Sequence, residues 1–409
     1  MYSVKDKRDS LLEEYLCDHC LGRQFAKLGH GLENFERGAI AREIDDIDED
    51  SFVRENIPEE AELGGECYVC KGVFQKMDHW VELVVNSFER YELSTFLIGI
   101  RPPEEAVEAE DQLWEEHGIE WVEPLKTELS RLIGKRVCDE TGLEVDFKRP
   151  DINAIVEMDE NKDRVVQQVN SLIIYGQYNK FSRKLPQTVW HCRNCRGGGC
   201  DECDYTGKNY HTSVQEEIQK PFKRETKSIE AKFHGGGRED VDARCYGRRE
   251  FLLELVEPLN RELDLEELVE EVNESDLIEI YSVRYGEKDE VEEVKNKHAD
   301  KMYRADVKLS EPVNDEDLEK LETVKGTVEQ RTPQRVEHRR ADKIRERQVY
   351  RLYWERKTEK RIELVIKAEA GTYIKELISG DDGRSDPSVS DILGVDAKCT
   401  ALDVVDVEK

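Results

Sequence analysis

Eight of the eleven cysteines in this chain fall into four C-x-x-C pairs, and this arrangement constrains the fold more than any other feature. The pairs are Cys17 with Cys20, Cys67 with Cys70, Cys192 with Cys195, and Cys200 with Cys203. Two C-x-x-C turns supply four thiolates to one tetrahedral ion and leave no coordination position open for catalysis. We therefore expect two structural metal sites, with zinc as the leading ion in both.

The two cysteine sets differ in their spacing, and each leaves an alternative open. The first two pairs are separated by a long stretch, and free buried thiols are the alternative to zinc there. The last two pairs lie in HCRNCRGGGCDEC, whose glycines permit the backbone reversals that residues with a Cβ resist. An iron–sulfur cluster or a redox pair is the alternative at this second set, because thiolates suit both.

The chain is strongly acidic, with 62 Lys and Arg against 93 Asp and Glu and a net charge of −31. Phosphate binding normally requires a basic surface, so the overall charge by itself argues against a nucleic-acid partner. Adaptation to a high-salt cytoplasm is a second explanation, because a Debye length of about 3 Å at 1 M salt mutes the repulsion between carboxylates. Charge alone therefore does not identify the partner.

The N-terminus and the apolar runs bear on location. The first ten residues, MYSVKDKRDS, contain no apolar signal-peptide core, and no apolar run approaches the roughly 20 residues that span a bilayer. We expect a cytoplasmic protein, where thiols stay reduced and cysteine pairs favour metal over disulfides. We also expect a monomer.

A length of 409 residues predicts two or three domains, and the hydrophobic periodicity predicts an α+β protein. We expect a segment with the first cysteine set at 1–75, a small α/β domain at 76–208, and an α+β domain at 209–409. Predicted helices cover about 104–117 and 123–134, and predicted strands include 96–101, 143–159, 251–258 and 361–371.

One segment reverses the charge of the chain. Residues 325–361 contain thirteen Lys or Arg and six Asp or Glu, a local net charge of +7, and aromatic residues are interleaved with the arginines. Guanidinium groups suit phosphates and aromatic faces suit unstacked bases, so the segment makes nucleic acid a serious candidate. A solvated charged helix with internal ion pairs is the alternative interpretation.

The stretch FHGGGREDVDARCYG at 233–247 places an arginine and two aspartates directly after three glycines. An arginine beside a carboxylate keeps that carboxylate ionised, and an oriented carboxylate can serve as a nucleophile. An ordinary surface ion pair on a turn is the alternative. The chain has no G-x-S-x-G, P-loop, H-E-x-x-H or G-x-G-x-x-G motif, so serine-hydrolase, P-loop ATP, zincin and Rossmann chemistries lack their machinery.

Four motifs in order resemble those of the pseudouridine synthases, in particular the archaeal and eukaryotic family that modifies tRNA positions 54 and 55. They are GREDVDAR, KMYRADV, QRTPQRVEHRRADKIRERQV and GTYIKEL. In the first half, RPDINAIV, SLIIYGQYNKFSRKLPQTVWHC and both cysteine sets resemble that family's THUMP-containing tRNA-binding domain. The resemblance implies an N-terminal zinc-bearing THUMP-like domain and a C-terminal catalytic domain with a mixed or antiparallel sheet.

The resemblance also implies roles for individual residues. Asp240 would be the nucleophile or essential carboxylate, and Arg238 would help to position it and to flip the uridine. Tyr303 would stack on the uracil and assist proton transfer, Lys375 would pair with Asp240, and Tyr373 would line the pocket. The implied substrate-binding residues are completed by Lys301, Arg335, Arg339 and Arg340.

The same resemblance implies tRNA, through its TΨC arm, as partner, and no cofactor for catalysis. Asp242 is the rival to Asp240, although the R-x-D spacing favours Asp240. Two other functions stay open: a non-catalytic tRNA-binding protein, and another THUMP-containing tRNA-modifying enzyme. The latter would need a methyl-donor or ATP-binding loop, and we find neither in the sequence.

Overall fold

The computed structural model describes residues 3–58, 67–159 and 163–408, with the side chain of Arg339 excepted. Its contacts divide the chain into two compact units. The first contains Met1–Ser171 with Leu259–Arg261, and the second contains Leu172–Pro258 with Glu262–Lys409. No helix in the described ranges is long and apolar enough to cross a membrane.

The first unit packs helices against a four-stranded sheet. Its helices are α1 (Val4–Leu11), α2 (Asp18–Gly22), α3 (Asn34–Glu43), α4 (Met77–Phe88), α5 (Glu104–His117) and α6 (Leu125–Thr141). Its strands are β1 (Thr95–Arg101), β2 (Glu144–Val145), β3 (Ile152–Glu157) and β4 (Arg164–Val169), in the order β2-β1-β3-β4. Strand β1 runs parallel to β2 and β3, and β4 is antiparallel to β3.

The core of this unit follows the periodicities of its elements. Every second residue of β3 is fully buried, as a half-buried strand requires. Leu129, Ile133 and Val137 repeat at four-residue spacing on α6 and are fully buried, as the inward face of an amphipathic helix requires. The predicted helix at 104–117 is confirmed, whereas the predicted strand at 143–159 is broken by a loop that exposes Phe147.

The second unit is built on one mixed sheet of ten strands. The strands are β5 (Leu172–Lys180), β6 (Glu230–Gly235), β7 (Ala243–Val256), β8 (Ile278–Tyr285), β9 (Lys301–Leu309), β10 (Gly326–Arg331), β11 (Ile344–Thr358), β12 (Arg361–Ala368), β13 (Ser385–Asp386) and β14 (Ala397–Val407). They follow the order β13-β10-β11-β12-β9-β14-β7-β5-β8, with β6 paired to β7. Strands β7 and β14 are parallel, and the other pairs are antiparallel.

The helices of the second unit are short and lie between these strands. They are α7 (Val214–Thr226), α8 (Leu265–Asn273), α9 (Glu290–Asn296), α10 (Asp315–Glu319), α11 (Ile374–Ser379) and α12 (Val389–Leu393). The N-termini of α7 and α8 are capped by Ser213 and Asp264, whose side chains accept hydrogen bonds from main-chain N–H groups three residues ahead. The α+β fold class is confirmed.

The division of the chain falls at residue 172, whereas the sequence prediction ended the middle domain at 208. The difference comes from β5, which resembled part of the THUMP-containing half but is hydrogen-bonded between β7 and β8 in the second sheet. The sequence of a single strand does not specify which strands it pairs with, so only the long-range pairing assigns β5 to a unit.

The basic segment also takes a form other than the helix considered as an alternative. Residues 326–331 and 344–358 are the antiparallel strands β10 and β11, with a short 3-10 turn, Gln334–Arg339, between them. On β11 the side chains of Tyr350, Arg351 and Tyr353 are exposed. The aromatic and basic groups therefore lie on the surface of a sheet, and the helical interpretation is wrong.

Candidate active site and cysteine clusters

Asp240 lies in the loop between β6 and β7, three positions after the last of the three glycines. Gly237 has φ +80°, a left-handed conformation that residues with a Cβ rarely adopt. The chain then turns, because the Ala243 N–H donates to the Asp240 carbonyl at 3.1 Å. This turn separates Asp240 from Asp242, so the two aspartates do not lie on one face of an extended segment.

Two cations hold the Asp240 carboxylate. Nη1 of Arg335 lies 3.1 Å from Asp240 Oδ1, and Nζ of Lys375 lies 3.3 Å from Oδ2. Burial raises the pKa of Asp240, but the charges of Arg335 and Lys375 outweigh it and hold the pKa below its usual value. Arg335 is itself fixed, since its Nε donates to Glu376 Oε1 at 2.7 Å. The carboxylate is therefore ionised and fixed in position.

The rival aspartate has a different environment. Both carboxylate oxygens of Asp242 lie 2.7 Å from Lys375 Nζ, and its side chain is 65% exposed against 30% for Asp240. Asp240 lines a cavity of about 480 Å³, and Asp242 is not among its lining residues. Lys375 therefore bridges the two aspartates, and only Asp240 faces the cavity.

A buried ionic group lies beneath the loop that carries Asp240. Nζ of Lys180 is fully buried and donates to the carbonyls of Asp240 and Val241, each at 3.1 Å, and of Leu185 at 2.9 Å. Glu239 is buried beside it and forms an ion pair with Arg249, whose Nε lies 3.0 Å from Oε2. Lys180 thus holds the loop at the carbonyls of Asp240 and Val241, and the ion pair with Arg249 holds it at the preceding residue, Glu239.

Sequence reasoning missed this ionic group. Lys180 lies sixty positions before Asp240, and in the sequence it is one lysine among many. The only local signal is the placement of a lysine at the end of a strand that begins with three apolar residues, and burial there lowers the pKa of Lys180. That signal does not indicate which loop the ammonium would hold.

Tyr303 and Lys301 line the same cavity from the start of β9. The Tyr303 ring is 8% exposed, and burial raises the pKa of its hydroxyl to about 12. Burial likewise lowers the pKa of Lys301 to about 8, and its Nζ donates to the Ala299 carbonyl at 2.9 Å. Tyr303 therefore remains protonated near neutral pH and can stack or donate a hydrogen bond.

Tyr373 and Arg340 form another part of the cavity wall. Nη1 of Arg340 donates to the Tyr373 hydroxyl at 2.9 Å. Gln330 fixes the Tyr373 main chain through two hydrogen bonds, one from the Tyr373 N–H at 2.8 Å and one to its carbonyl at 3.0 Å. The structure thus brings the predicted residues together around one cavity: Asp240, Lys301, Tyr303, Arg335, Arg340, Tyr373 and Lys375. The side chain of Arg339 lies outside the described part of the chain.

Arg238 lines the cavity but occupies a different place from the one expected. Its guanidinium carbon lies 5.4 Å from the centroid of the Trp190 ring, a cation–π arrangement. The charges that lower the pKa of Asp240 belong instead to Arg335 and Lys375. The R-x-D spacing made Arg238 the expected partner of the Asp240 carboxylate. The arginine that forms an ion pair with Asp240 is Arg335, 95 positions away in the sequence.

Each predicted cysteine set forms one cluster. The four Sγ atoms of each set lie within 4.8 Å of one another, and individual Sγ–Sγ distances are 3.7 to 3.9 Å. A tetrahedral zinc with Zn–S bonds of about 2.3 Å places its sulfurs about 3.8 Å apart. Each set therefore fits one tetrahedral metal ion.

The two clusters differ in their surroundings. All four cysteines of the first are buried, and the fully buried Arg23 lies with Nη2 3.8 Å from Cys20 Sγ while its other nitrogen pairs with Glu110. In the second, main-chain N–H groups approach the sulfurs, such as Gly199 N–H to Cys195 Sγ at 3.2 Å. The first cluster also accepts a main-chain N–H, from Cys17 to Cys67 Sγ at 3.3 Å, so the buried cation Arg23 is what distinguishes it from the second.

The chain is similar over almost its whole length to curated enzymes. It is 42% identical to "tRNA pseudouridine synthase Pus10" of Methanothermobacter marburgensis, over 99% of this chain and 98% of the relative. It is 40% identical to the protein of that name from Halorubrum lacusprofundi, over 96% and 93%. Among solved structures, "Crystal Structure of a Cbf5-Nop10-Gar1 Complex" overlaps at a TM-score of 0.31 and 17% identity, over 56% of this chain and 47% of that one.

These relatives and the cavity define an enzyme of the pseudouridine synthase class, an isomerase. The family model described as Pus10, C-terminal matches residues 173–408, and that of the archaeal Pus10 THUMP domain matches residues 80–157. The chain belongs to the Pus10 family.

Proposed function

We propose that this chain converts uridine to pseudouridine in the TΨC arm of tRNA, at position 54, position 55 or both, with Asp240 as the essential carboxylate. The observation that carries the proposal is Asp240 itself, held ionised by Arg335 and Lys375 at the wall of a cavity that Tyr303 also lines. The tRNA substrate follows from the names of the relatives and from the family of the chain.

The chemistry needs no external reagent. The C1′–N1 glycosidic bond breaks, a C1′–C5 bond forms, the proton on C5 is released and N1 ends protonated, so atoms and electrons balance. An ionised carboxylate close to the sugar can act as the nucleophile or stabilise the developing positive charge. A target base inside a folded RNA must leave its stack to reach such a cavity.

The neighbouring side chains have complementary roles in this proposal. Tyr303 stacks on the displaced uracil, because its ring is fixed by burial and its hydroxyl keeps its proton. Lys375 and Arg335 position the carboxylate, and Arg340 orients the Tyr373 ring through its hydroxyl. Tyr373 then lines the pocket beside the flipped nucleotide.

The remaining parts of the chain have supporting roles. The exposed basic and aromatic side chains of β11 contact the tRNA backbone and its unpaired bases. The THUMP domain adds tRNA binding, and both cysteine clusters bind structural zinc through four thiolates each. A closed zinc site of this kind takes no part in the isomerisation.

The deciding experiment is Asp240→Asn assayed on unmodified tRNA transcripts, with pseudouridine mapped by carbodiimide adducts and primer extension. We expect no detectable product, because the amide is neither nucleophilic nor anionic. Transcripts with cytidine at position 54 or 55 identify the modified position. Turnover by Asp240→Asn at the wild-type rate would refute the assignment.

Asp242→Asn is the matched control, because it removes a carboxylate that also contacts Lys375 but does not face the cavity. We expect substantial activity in this variant. Loss of activity in Asp242→Asn together with full activity in Asp240→Asn would move the essential carboxylate to Asp242. If the wild-type protein binds tRNA tightly but forms no pseudouridine, it is a non-catalytic tRNA-binding protein.

A further inference from the structure

Trp190 stands at the base of the second cysteine cluster and lines the same cavity as Asp240. Its ring is half-buried, and it has a cation on one side and an aromatic ring on another. The Arg238 guanidinium carbon lies 5.4 Å from its centroid, and the Tyr210 ring meets it edge-on at 5.6 Å and 79°. The proposed chemistry assigns no role to this tryptophan.

The cysteine-bearing segment holds Trp190 in place through its main chain. The Asn209 N–H donates to the Trp190 carbonyl at 2.9 Å, and the Cys192 N–H donates to the Gly207 carbonyl at 2.7 Å. His191 and Lys208 form a β-bridge between these two pairs. Residues 190–192 and 207–209 thus pair as a short two-stranded ribbon, and the cluster of four cysteines lies at its end.

The charge of the cavity wall indicates what Trp190 meets. Besides Arg238 and Arg340, the lining includes the exposed lysines Lys295, in the last turn of α9, and Lys297, directly after it. A concentration of cations in a chain with net charge −31 favours a polyanion at this wall. An aromatic face beside a guanidinium is the combination on which unpaired bases stack.

We propose that Trp190 and Arg238 form a stacking subsite for an unpaired nucleotide that flanks the target uridine, and that the cysteine cluster at 192–203 positions Trp190. The proposal rests on the proposed function, because it assumes that the cavity receives a flipped nucleotide of RNA. It gives the second cluster a role in substrate binding in addition to holding its own segment together.

The first test is the affinity of the full-length, metal-loaded protein for an unmodified tRNA transcript. Trp190→Ala should weaken binding about 5- to 150-fold, the range that loss of one stacked base gives. Trp190→Phe should restore most of the affinity, because a stacking face returns. Tyr205→Ala is the matched control: Tyr205 is an exposed aromatic of the same segment, is not among the cavity-lining residues, and should bind as wild type.

A fluorescence measurement reports directly on the subsite. The chain has five tryptophans, and stacking of a base on Trp190 should quench part of the emission when tRNA is added. The quenching should disappear in Trp190→Phe. Equal quenching in wild type and Trp190→Phe, or wild-type affinity in Trp190→Ala, would overturn the subsite.

The role of the cluster is tested with the double variant Cys192→Ser/Cys195→Ser, which removes two of four ligands. We expect one metal equivalent fewer, weaker tRNA binding comparable to that of Trp190→Ala, and no further loss when Trp190→Ala is added. Loss of the metal with unchanged affinity would overturn the positioning role. None of these binding measurements depends on turnover. A wild-type protein that makes no pseudouridine would refute the proposed function, and the affinity and quenching measurements would still decide whether the subsite exists.

Discussion

Replacement of Lys180 by methionine tests whether the buried ammonium positions Asp240. Methionine approximates the length of the lysine stem and removes only the charge and its three hydrogen bonds. These bonds go to the carbonyls of Leu185, Asp240 and Val241. Two of the three acceptors therefore lie in the loop that carries Asp240.

The expected loss of stability follows from the number of acceptors. Each buried acceptor left without a partner costs about 1–3 kcal/mol, which gives roughly 9 kcal/mol as a ceiling for three. The loop carbonyls at 240 and 241 belong to half-buried residues, where water can replace the ammonium, and Glu239 keeps Arg249 as its counter-ion. We therefore expect about 3 kcal/mol, near the low end for breaking a buried ion pair.

For a unit of this size, 3 kcal/mol corresponds to a fall of about 6–12 °C in Tm. The rate of pseudouridine formation at saturating tRNA should fall about 100-fold, because a misplacement of about 1 Å at a reacting group has that effect. Thermal unfolding and single-turnover assays at a temperature where the variant is folded measure the two effects separately.

Lys184→Met is the matched control, because Lys184 is exposed and the substitution changes the net charge equally. It should leave both Tm and the single-turnover rate unchanged. A Lys180→Met protein with the wild-type single-turnover rate, or an equal loss in Lys184→Met, would refute the idea that the ammonium positions the loop.

Three further outcomes follow from the site and the clusters. Arg335→Gln removes one of the two charges that lower the pKa of Asp240, so the pKa rises and the acid limb of the kcat/KM profile should move to higher pH; an unmoved limb would contradict this. Arg23→Met removes the cation beside the first cluster, so a chelator should extract that metal more readily while the second cluster keeps its own. Arg340→Ala should lower the salt dependence of tRNA binding by roughly one unit of slope, as loss of one phosphate contact does, and an unchanged slope would mean that Arg340 contacts no phosphate.

The sequence determined the features that depend on short spacing. C-x-x-C turns place two thiols toward one ion wherever they occur, and the glycines before Asp240 permit a turn that other residues resist. Period-two apolar patterns located strands such as 361–368, because burial of one face of a strand is encoded locally. The four ordered motifs were sufficient by themselves to indicate the family.

The resemblance already implied that Lys375 pairs with Asp240, but only the tertiary structure decided which arginine lies against that carboxylate. Arg238 lies two positions away in sequence and is carried to Trp190, whereas Arg335 arrives from the turn between β10 and β11. Lys180 arrives from the end of β5, a strand whose unit could not be assigned from its own residues. Ion pairs and strand partners between distant segments depend on how the whole sheet is ordered, and no local pattern records that order.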